Sequence, residues 1–126
     1  RLAPPDAGAV AADASGWQAW SPARMAQWQA EGKPVFVDYT AAWCVTCQFN
    51  KKTVLADAAL LNDMRARGLV LARADWTRRD PAVTQALSAL GRNGVPVYAI
   101  HQNGQAPQVL SEVLGVDEVR AVIAGL

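Results

Sequence analysis

The sequence has few cysteines, no long apolar run and almost no net charge. Its 126 residues include two cysteines, both in one motif, which excludes the disulfide framework of small secreted domains. No apolar run approaches the ~20 residues that a membrane-spanning helix needs. A net charge of +1 excludes the basic footprint of a nucleic-acid-binding surface. With 52% hydrophobic and 18% charged residues, the chain is typical of one globular domain, expected to be soluble and monomeric.

The beginning of the chain differs in composition from the rest. Residues 1–16 are rich in Ala, Pro, Gly and Asp, which predicts a flexible linker. The chain does not begin with methionine and shows no signal-peptide pattern, so we interpret it as a piece of a longer protein. The folded domain is expected over residues 17–126.

Helix and strand patterns alternate through the remainder of the sequence. The predicted elements are a helix from Ser21-Pro22 to Gly32, a strand Val35–Thr40, a helix from about Cys44 to Thr53, a helix from Asp57 to Gly68, a strand Leu69–Asp75, a helix from Asp80-Pro81 to Gly91, a strand Val95–Ile100, a turn at 102–105, a strand Val109–Val113 and a helix Val116–Ala124. This order predicts an α/β fold. Its central sheet would be mixed, with helices on both faces, a closing β-hairpin and a C-terminal helix.

The two cysteines form a Cys-x-x-Cys pair at a predicted strand-to-helix junction. There, unpaired backbone N–H groups and the helix dipole favour a thiolate on Cys44. We predict that Cys44 is the nucleophile of thiol–disulfide exchange and that Cys47, shielded one turn further along, is the resolving thiol. Such a site needs no metal and no organic cofactor.

Three alternatives compete with exchange at this pair. A zinc site needs about four ligands, and the one further soft ligand, His101, is far away in sequence and is expected at a strand end or hairpin surface. A purely structural disulfide would close a very short loop and constrain the unfolded chain little. The third alternative is a reduced, inert pair.

Asp38 lies six residues before Cys44, inside an apolar predicted strand. Burying a carboxylate is costly unless it has a partner or a function. We predict a buried proton acceptor with a raised pKa, which takes the proton from Cys47 as that thiol attacks. The alternative is a strand-end carboxylate bonded to backbone or water.

Neighbouring residues complete the predicted site. Trp43 is expected to pack against the motif, and Trp43, Val95 and Pro96 are the predicted substrate-binding residues. A proline at the start of a strand is ordinary, but a cis Val95–Pro96 bond facing the cysteines would leave the Val95 backbone free to pair with an incoming peptide. Val45-Thr46 supplies no cation, so the helix terminus is the main local stabiliser of the thiolate and a reducing potential is expected.

Asp38, Trp43-Cys44-x-x-Cys47 and Val95-Pro96, in this element order, resemble the thioredoxin superfamily. Over about residues 17–126 the strings GKPVFVDYTAAWCVTCQFNK, ADWTRRDPAV and GVPVY are similar to the C-terminal periplasmic domains of DsbD-type thiol:disulfide interchange proteins, or of the related copper-sensitivity suppressor type. The resemblance implies a thioredoxin-like fold, a cis Val95–Pro96 bond and a protein-disulfide reductase acting through Cys44 and Cys47.

The resemblance also implies a cellular setting. The domain would face the periplasm as part of a bacterial inner-membrane protein. It would take electrons from a cysteine pair in the transmembrane domain of the same parent protein, supplied by cytoplasmic thioredoxin. It would pass them to a periplasmic thiol domain, commonly the parent's N-terminal domain, in electron transport that serves processes such as cytochrome c biogenesis. A periplasmic disulfide oxidase or isomerase and a redox-inactive peptide-binding module are the alternative functions.

The chain departs from these relatives at two places. Val45-Thr46 stands where thioredoxin has Gly-Pro, which argues against a general cytoplasmic-thioredoxin role. Lys51 stands where some DsbD-type domains have an acidic residue. A cation facing the sulfurs would favour the thiolate.

Overall fold

The computed structural model describes residues 16–126. The elements in chain order are β1 (Gln18–Ala19), α1 (Pro22–Ala30), β2 (Val35–Thr40), α2 (Val45–Lys52), α3 (Ala58–Ala66), β3 (Val70–Asp75), α4 (Pro81–Ala89), β4 (Val97–His101), β5 (Gln108–Val109) and α5 (Val116–Ile123), with a 3-10 turn at Val54–Ala56. The predicted linker, residues 1–16, lies outside the described residues except for Gly16. None of the described helices combines the length and the apolar character needed to cross a bilayer.

The sheet is mixed, as predicted, with the strand order β1-β3-β2-β4-β5. β3 runs parallel to both β1 and β2, whereas β4 is antiparallel to β2 and β5 to β4. β2 is central, and all six of its residues are buried. That burial explains why its sequence is a nearly continuous apolar run rather than an alternating one.

The two faces of the sheet hold separate apolar clusters. Because successive side chains of a strand point to opposite faces, Phe36 joins one cluster while Val35 and Val37 join the other. The Phe36 cluster includes residues of α3 and α5, and the other cluster includes residues of α1 and α4. Asp38 has the same parity as Phe36 and so lies on the α3/α5 face of the sheet.

Helix starts follow the predicted capping residues. Oγ of Ser21 accepts a hydrogen bond of 3.1 Å from the backbone N–H of Arg24, and Pro22 occupies the first turn of α1. Side-chain oxygens of Asp57 and Asp80 cap α3 and α4 in the same way. These caps satisfy backbone donors that the first turn of a helix leaves unpaired, so local sequence was enough to place them.

Two predictions about the strands need correction, and one short strand was not predicted. The predicted strand Val109–Val113 is wrong in extent, because β5 is only Gln108–Val109. The Leu110 N–H still donates to the Tyr98 carbonyl of β4, but beyond it the backbone bonds to side chains: the Ser111 N–H donates to Glu118 and the Leu114 N–H to Asn50. The third predicted strand begins at Val97 rather than Val95. The short β1 was not predicted, since two residues carry no detectable periodicity.

Candidate redox site

Cys44 and Cys47 form a disulfide at the N-terminus of α2, with a Cα–Cα distance of 5.2 Å. Cys44 is the N-cap residue of that helix, and its sulfur accepts a hydrogen bond of 3.1 Å from the Cys47 N–H. Cys44 is 7% exposed and Cys47 is 0% exposed. Of the two sulfur-bearing residues, therefore, only Cys44 is reached by solvent.

The turn between β2 and α2 is held by bonds to Ala41. The Cys44 N–H donates to the Ala41 carbonyl at 3.2 Å, and Nε2 of Gln48 donates to the same oxygen at 3.0 Å. No acidic residue occupies the first turn of α2, whereas Lys51 and Lys52 occupy the last. This distribution leaves the positive end of the helix dipole at Cys44 without a competing local anion.

Val95 lies directly against the cysteines. It packs on the small buried cluster of Ala41, Cys44 and Cys47, and the Val95–Pro96 peptide bond is cis, as expected. Among the described residues, none forms a backbone hydrogen bond with the Val95 N–H or carbonyl. The structure thus places Val95 against the cluster that holds the disulfide, although about 50 residues separate it from Cys44 along the chain.

Asp38 is completely buried and has a charged partner. Nε of Arg73 donates a hydrogen bond of 3.1 Å to Oδ2 of Asp38. Burial raises the pKa of Asp38, and the guanidinium of Arg73 opposes that rise. Oδ1 accepts no hydrogen bond from the described residues. Sequence reasoning predicted the burial and the direction of the pKa shift but missed Arg73.

The sheet register explains how Arg73 reaches Asp38. Asp38 is paired with Arg73 across the parallel β2–β3 ladder and with Tyr98 across the antiparallel β2–β4 ladder. Paired residues project to the same face, so all three side chains lie on the α3/α5 side. The signal available in the sequence was one arginine, Arg73, that follows the apolar residues 70–72 inside β3.

Arg73 and Lys51 form a basic environment around the buried carboxylate. The Arg73 guanidinium lies over the ring of Trp17 at 4.2 Å, and both residues line a surface cleft with Lys51. Burial lowers the pKa of Lys51, and the Asp38 carboxylate opposes that change. Lys51 therefore interacts electrostatically with Asp38.

Trp43 is held by the loop between β3 and α4. Its Nε1–H donates to the Thr77 carbonyl at 3.0 Å, and its ring centroid lies 6.0 Å from that of Trp76. The Arg79 guanidinium lies 5.0 Å above the same ring. Trp43 is nevertheless 49% exposed, so it presents a large aromatic surface next to Cys44.

An apolar groove of about 340 Å³ opens at Cys44. Its lining residues are Ala42, Trp43, Cys44, Val45, Gln48, Phe49 and Lys52. Among the described residues five large hydrophobic side chains are exposed, and three of them, Trp43, Val45 and Phe49, line this groove. Contiguous exposed apolar surface of this kind is typical of interaction sites and binding grooves in general.

Asn50 is a buried polar residue that sequence reasoning missed. Its Nδ2 donates to the Tyr98 hydroxyl and to the Glu112 carbonyl, both at 2.8 Å, and its Oδ1 accepts from the Leu114 N–H at 3.2 Å. These bonds tie α2, which carries the cysteines, to β4 and to the segment after β5. Asn50 is therefore a structural support of the site.

His101 lies away from the cysteines. It is paired with Val35 at the start of β2, whereas the cysteines follow the other end of that strand. Within residues 16–126 no group of three or more His, Cys, Asp or Glu side chains is arranged to hold a metal ion. His101 is half-buried, and its Nε2 lies 3.5 Å from the Tyr39 hydroxyl.

Comparisons with known proteins agree with this geometry. A family profile described as thioredoxin-like matches residues 16–102. The thiol:disulfide interchange protein DsbD of Vibrio cholerae is 37% identical over 73 residues, which are 57% of this chain and 12% of that protein.

Two solved structures illustrate the likeness of fold. The C-terminal domain of Neisseria meningitidis DsbD in its reduced form has a TM-score of 0.68 at 17% identity, covering 85% of this chain and 97% of that one. The first thioredoxin domain of mouse protein disulfide-isomerase A4 has a TM-score of 0.71 at 15% identity, covering 99% of this chain and 84% of that one.

The profile match, the mixed sheet and the position of the disulfide all agree with the resemblance inferred from the sequence. The chain belongs to the thioredoxin-like family, is similar in sequence to a segment of DsbD and in fold to the C-terminal domain of DsbD, and is by its Cys44–Cys47 pair a thiol–disulfide oxidoreductase domain.

Proposed function

We propose that this domain relays electrons in the reducing direction, from a membrane-embedded cysteine pair of its parent protein to the disulfide of a periplasmic partner. The observation that carries the proposal is the pair itself: the 7% of Cys44 that solvent reaches lies in an apolar groove, and Cys47 is completely buried. The similarity to DsbD supports the periplasmic setting, the transmembrane donor and the acceptor, for which the parent's N-terminal domain is the first candidate.

The proposed exchange balances as two successive substitutions at sulfur. In the reduced domain the Cys44 thiolate attacks one sulfur of the partner's disulfide, which forms a mixed disulfide and releases one partner thiolate. Cys47 then loses its proton and attacks the Cys44 sulfur. The Cys44–Cys47 disulfide forms and the second partner thiolate leaves, so two electrons pass to the partner.

We assign the proton of Cys47 to Asp38. The carboxylate is buried on the face of the sheet towards α3 and α5, and burial raises its pKa, which makes it a better proton acceptor than an exposed aspartate. Oδ2 is engaged by Arg73, whereas Oδ1 has no donor among the described residues. Oδ1 is therefore the proposed proton acceptor.

Trp43, Val95 and Pro96 are the proposed substrate-binding residues. Val95 packs against the buried cluster that contains both cysteines, and its backbone N–H and carbonyl form no backbone hydrogen bond within the described residues. An extended partner segment can pair with that backbone while its side chains contact the groove beside Trp43.

Trapping tests the proposal directly. The parent protein carrying Cys47→Ala should accumulate a mixed disulfide through Cys44, and mass spectrometry should identify a periplasmic thiol protein in it. The matched Cys44→Ala variant should trap nothing. If Cys44→Ala still delivers electrons to the partner, the domain acts as a redox-inactive binding module instead.

The direction of transfer is tested by the reduction potential of the Cys44–Cys47 pair. Val45-Thr46 places no cation between the sulfurs, which supports a reducing value near that of thioredoxin, about −270 mV. Equilibration with a glutathione or dithiothreitol redox buffer measures it. A potential near the oxidising end of the range, about −120 mV, would support a disulfide oxidase or isomerase instead.

A further inference from the structure

Arg79, in the loop between β3 and α4, has an unusual backbone. Its φ is 54°, and it is the one residue other than glycine with a positive φ among residues 16–126. A left-handed conformation is unfavourable for an L-residue with a long side chain, and glycine would adopt it without that cost. Strain of this kind, held in place by its surroundings, is concentrated at functional sites.

The Arg79 side chain is fixed on two aromatic rings. Its guanidinium lies 5.0 Å from the ring centroid of Trp43 and 4.6 Å from that of Trp76. Cation–π contacts of this geometry orient a guanidinium without using its N–H donors. The loop is fastened to the active-site turn as well, since the Ala42 N–H donates to Oγ1 of Thr77 at 2.8 Å.

The charge of Arg79 is not neutralised inside the domain. No carboxylate of the described residues lies within ion-pair distance of it. The two carboxylates nearest to Arg79 in the sequence are engaged elsewhere: Asp75, at the end of β3, accepts from the Thr77 N–H and hydroxyl, and Asp80 caps α4 through the Ala82 N–H. The guanidinium therefore keeps a planar set of donors that suits a carboxylate.

The position of Arg79 connects it to the redox groove. The ring beneath its guanidinium, Trp43, is also a wall of the groove that contains Cys44. Lys52 lines the same groove, so a second cation lies within reach of a bound segment. A partner segment seated in the groove would lie against the Trp43 ring on which the Arg79 guanidinium rests.

We propose that Arg79 is a specificity-determining residue that binds a carboxylate side chain flanking the reactive cysteine of the partner, with Trp43 as the apolar platform beside it. This inference rests on the proposed exchange function and adds the chemistry of its substrate. The favoured partner segment is acidic next to its disulfide and apolar at the positions that enter the groove.

The test compares exchange rates of the reduced domain with short disulfide-cyclised peptides. The peptides carry Glu on either flank of the reactive cysteine or the isosteric Gln there, and hydroxyethyl disulfide serves as a small uncharged oxidant. The variants are Arg79→Ala, Arg79→Gly and the control Arg78→Ala, which removes a neighbouring exposed arginine. Arg79→Gly removes the side chain and relieves the positive φ, so this variant is expected to fold. A cooperative thermal unfolding transition would show that a lost preference for Glu in this variant does not come from misfolding.

The wild type should react about fivefold faster with one Glu peptide than with its Gln counterpart at low salt, and the preference should fall as salt is added. Arg79→Ala and Arg79→Gly should abolish the preference while leaving the rate with hydroxyethyl disulfide unchanged. Arg78→Ala should keep it.

Two results overturn the inference alone: no preference for Glu in the wild type, or an equal loss in the Arg78 and Arg79 variants. A wild-type domain that fails to exchange even with hydroxyethyl disulfide overturns the proposed function, and this inference with it.

Discussion

The Nε of Arg73 donates a hydrogen bond of 3.1 Å to Oδ2 of Asp38, from the adjacent parallel strand. Asp38 is fully buried, whereas the Arg73 side chain is 26% exposed. The pair thus joins a carboxylate in the core to a cation that reaches solvent. A cation so placed favours the ionised carboxylate without itself losing all of its hydration.

Arg73→Met should move the exchange reaction to higher pH. Burial raises the pKa of Asp38, and the Arg73 guanidinium lowers it. Removal of Arg73 should therefore raise the pKa of Asp38 further, so that a higher pH is needed to ionise the proposed base. The pH profile of the second, Cys47-dependent step, followed by stopped flow, measures this shift. Arg73→Lys keeps the charge and should shift the profile less. A profile unchanged in Arg73→Met would contradict the role of this pair.

Asp38→Asn should stabilise the oxidised domain at neutral pH. Because the folded-state pKa of Asp38 is raised, the protonated side chain favours folding below about pH 3.8, and that advantage is lost as pH rises through the folded-state pKa. The neutral amide avoids that loss. Urea unfolding should show an advantage of the variant at pH 7.5 that shrinks at pH 4, with exposed Asp117→Asn as a control that lacks it.

Asn50→Ala should be strongly destabilising, by about 3 kcal/mol, because it leaves buried donors and acceptors without partners. The lost bonds are those to the Tyr98 hydroxyl, the Glu112 carbonyl and the Leu114 N–H. Asn62→Ala on the exposed face of α3 removes one surface contact, to Arg65, and should change the free energy of unfolding little. Equal effects of the two substitutions in denaturant unfolding would refute the structural role of Asn50.

His101 should make the domain less stable in mild acid. Burial lowers the pKa of His101 from its ordinary value of 6.5, so the unfolded chain binds the proton first as pH falls. The contribution of neutral, buried His101 to the free energy of unfolding is fully present above pH 6.5 and is lost as pH falls through the folded-state pKa. Thermal unfolding between pH 7.5 and 5 should show a smaller decline for His101→Gln than for the wild type. Parallel curves would mean that His101 does not contribute.

Much of the architecture was predictable because it depends on residues close together in the chain. The caps at Ser21, Asp57 and Asp80 involve bonds across two or three residues, and the helix starts were placed correctly. The apolar run of β2 predicted a strand buried on both faces. The end of the sheet was less predictable, since β5 is shortened by side-chain partners from α2 and α5.

The sequence by itself determined the chemistry of this protein. The spacing of Cys44 and Cys47 at a helix start, and the burial of Asp38 in a strand, are local properties that need no knowledge of the fold. The tertiary structure alone decided the partners: Arg73 for Asp38, 35 residues away, and Tyr98 for Asn50, 48 residues away. It also set Arg79 over Trp43. Such pairs depend on strand register and loop path, which arise from packing of the whole chain rather than from any local pattern.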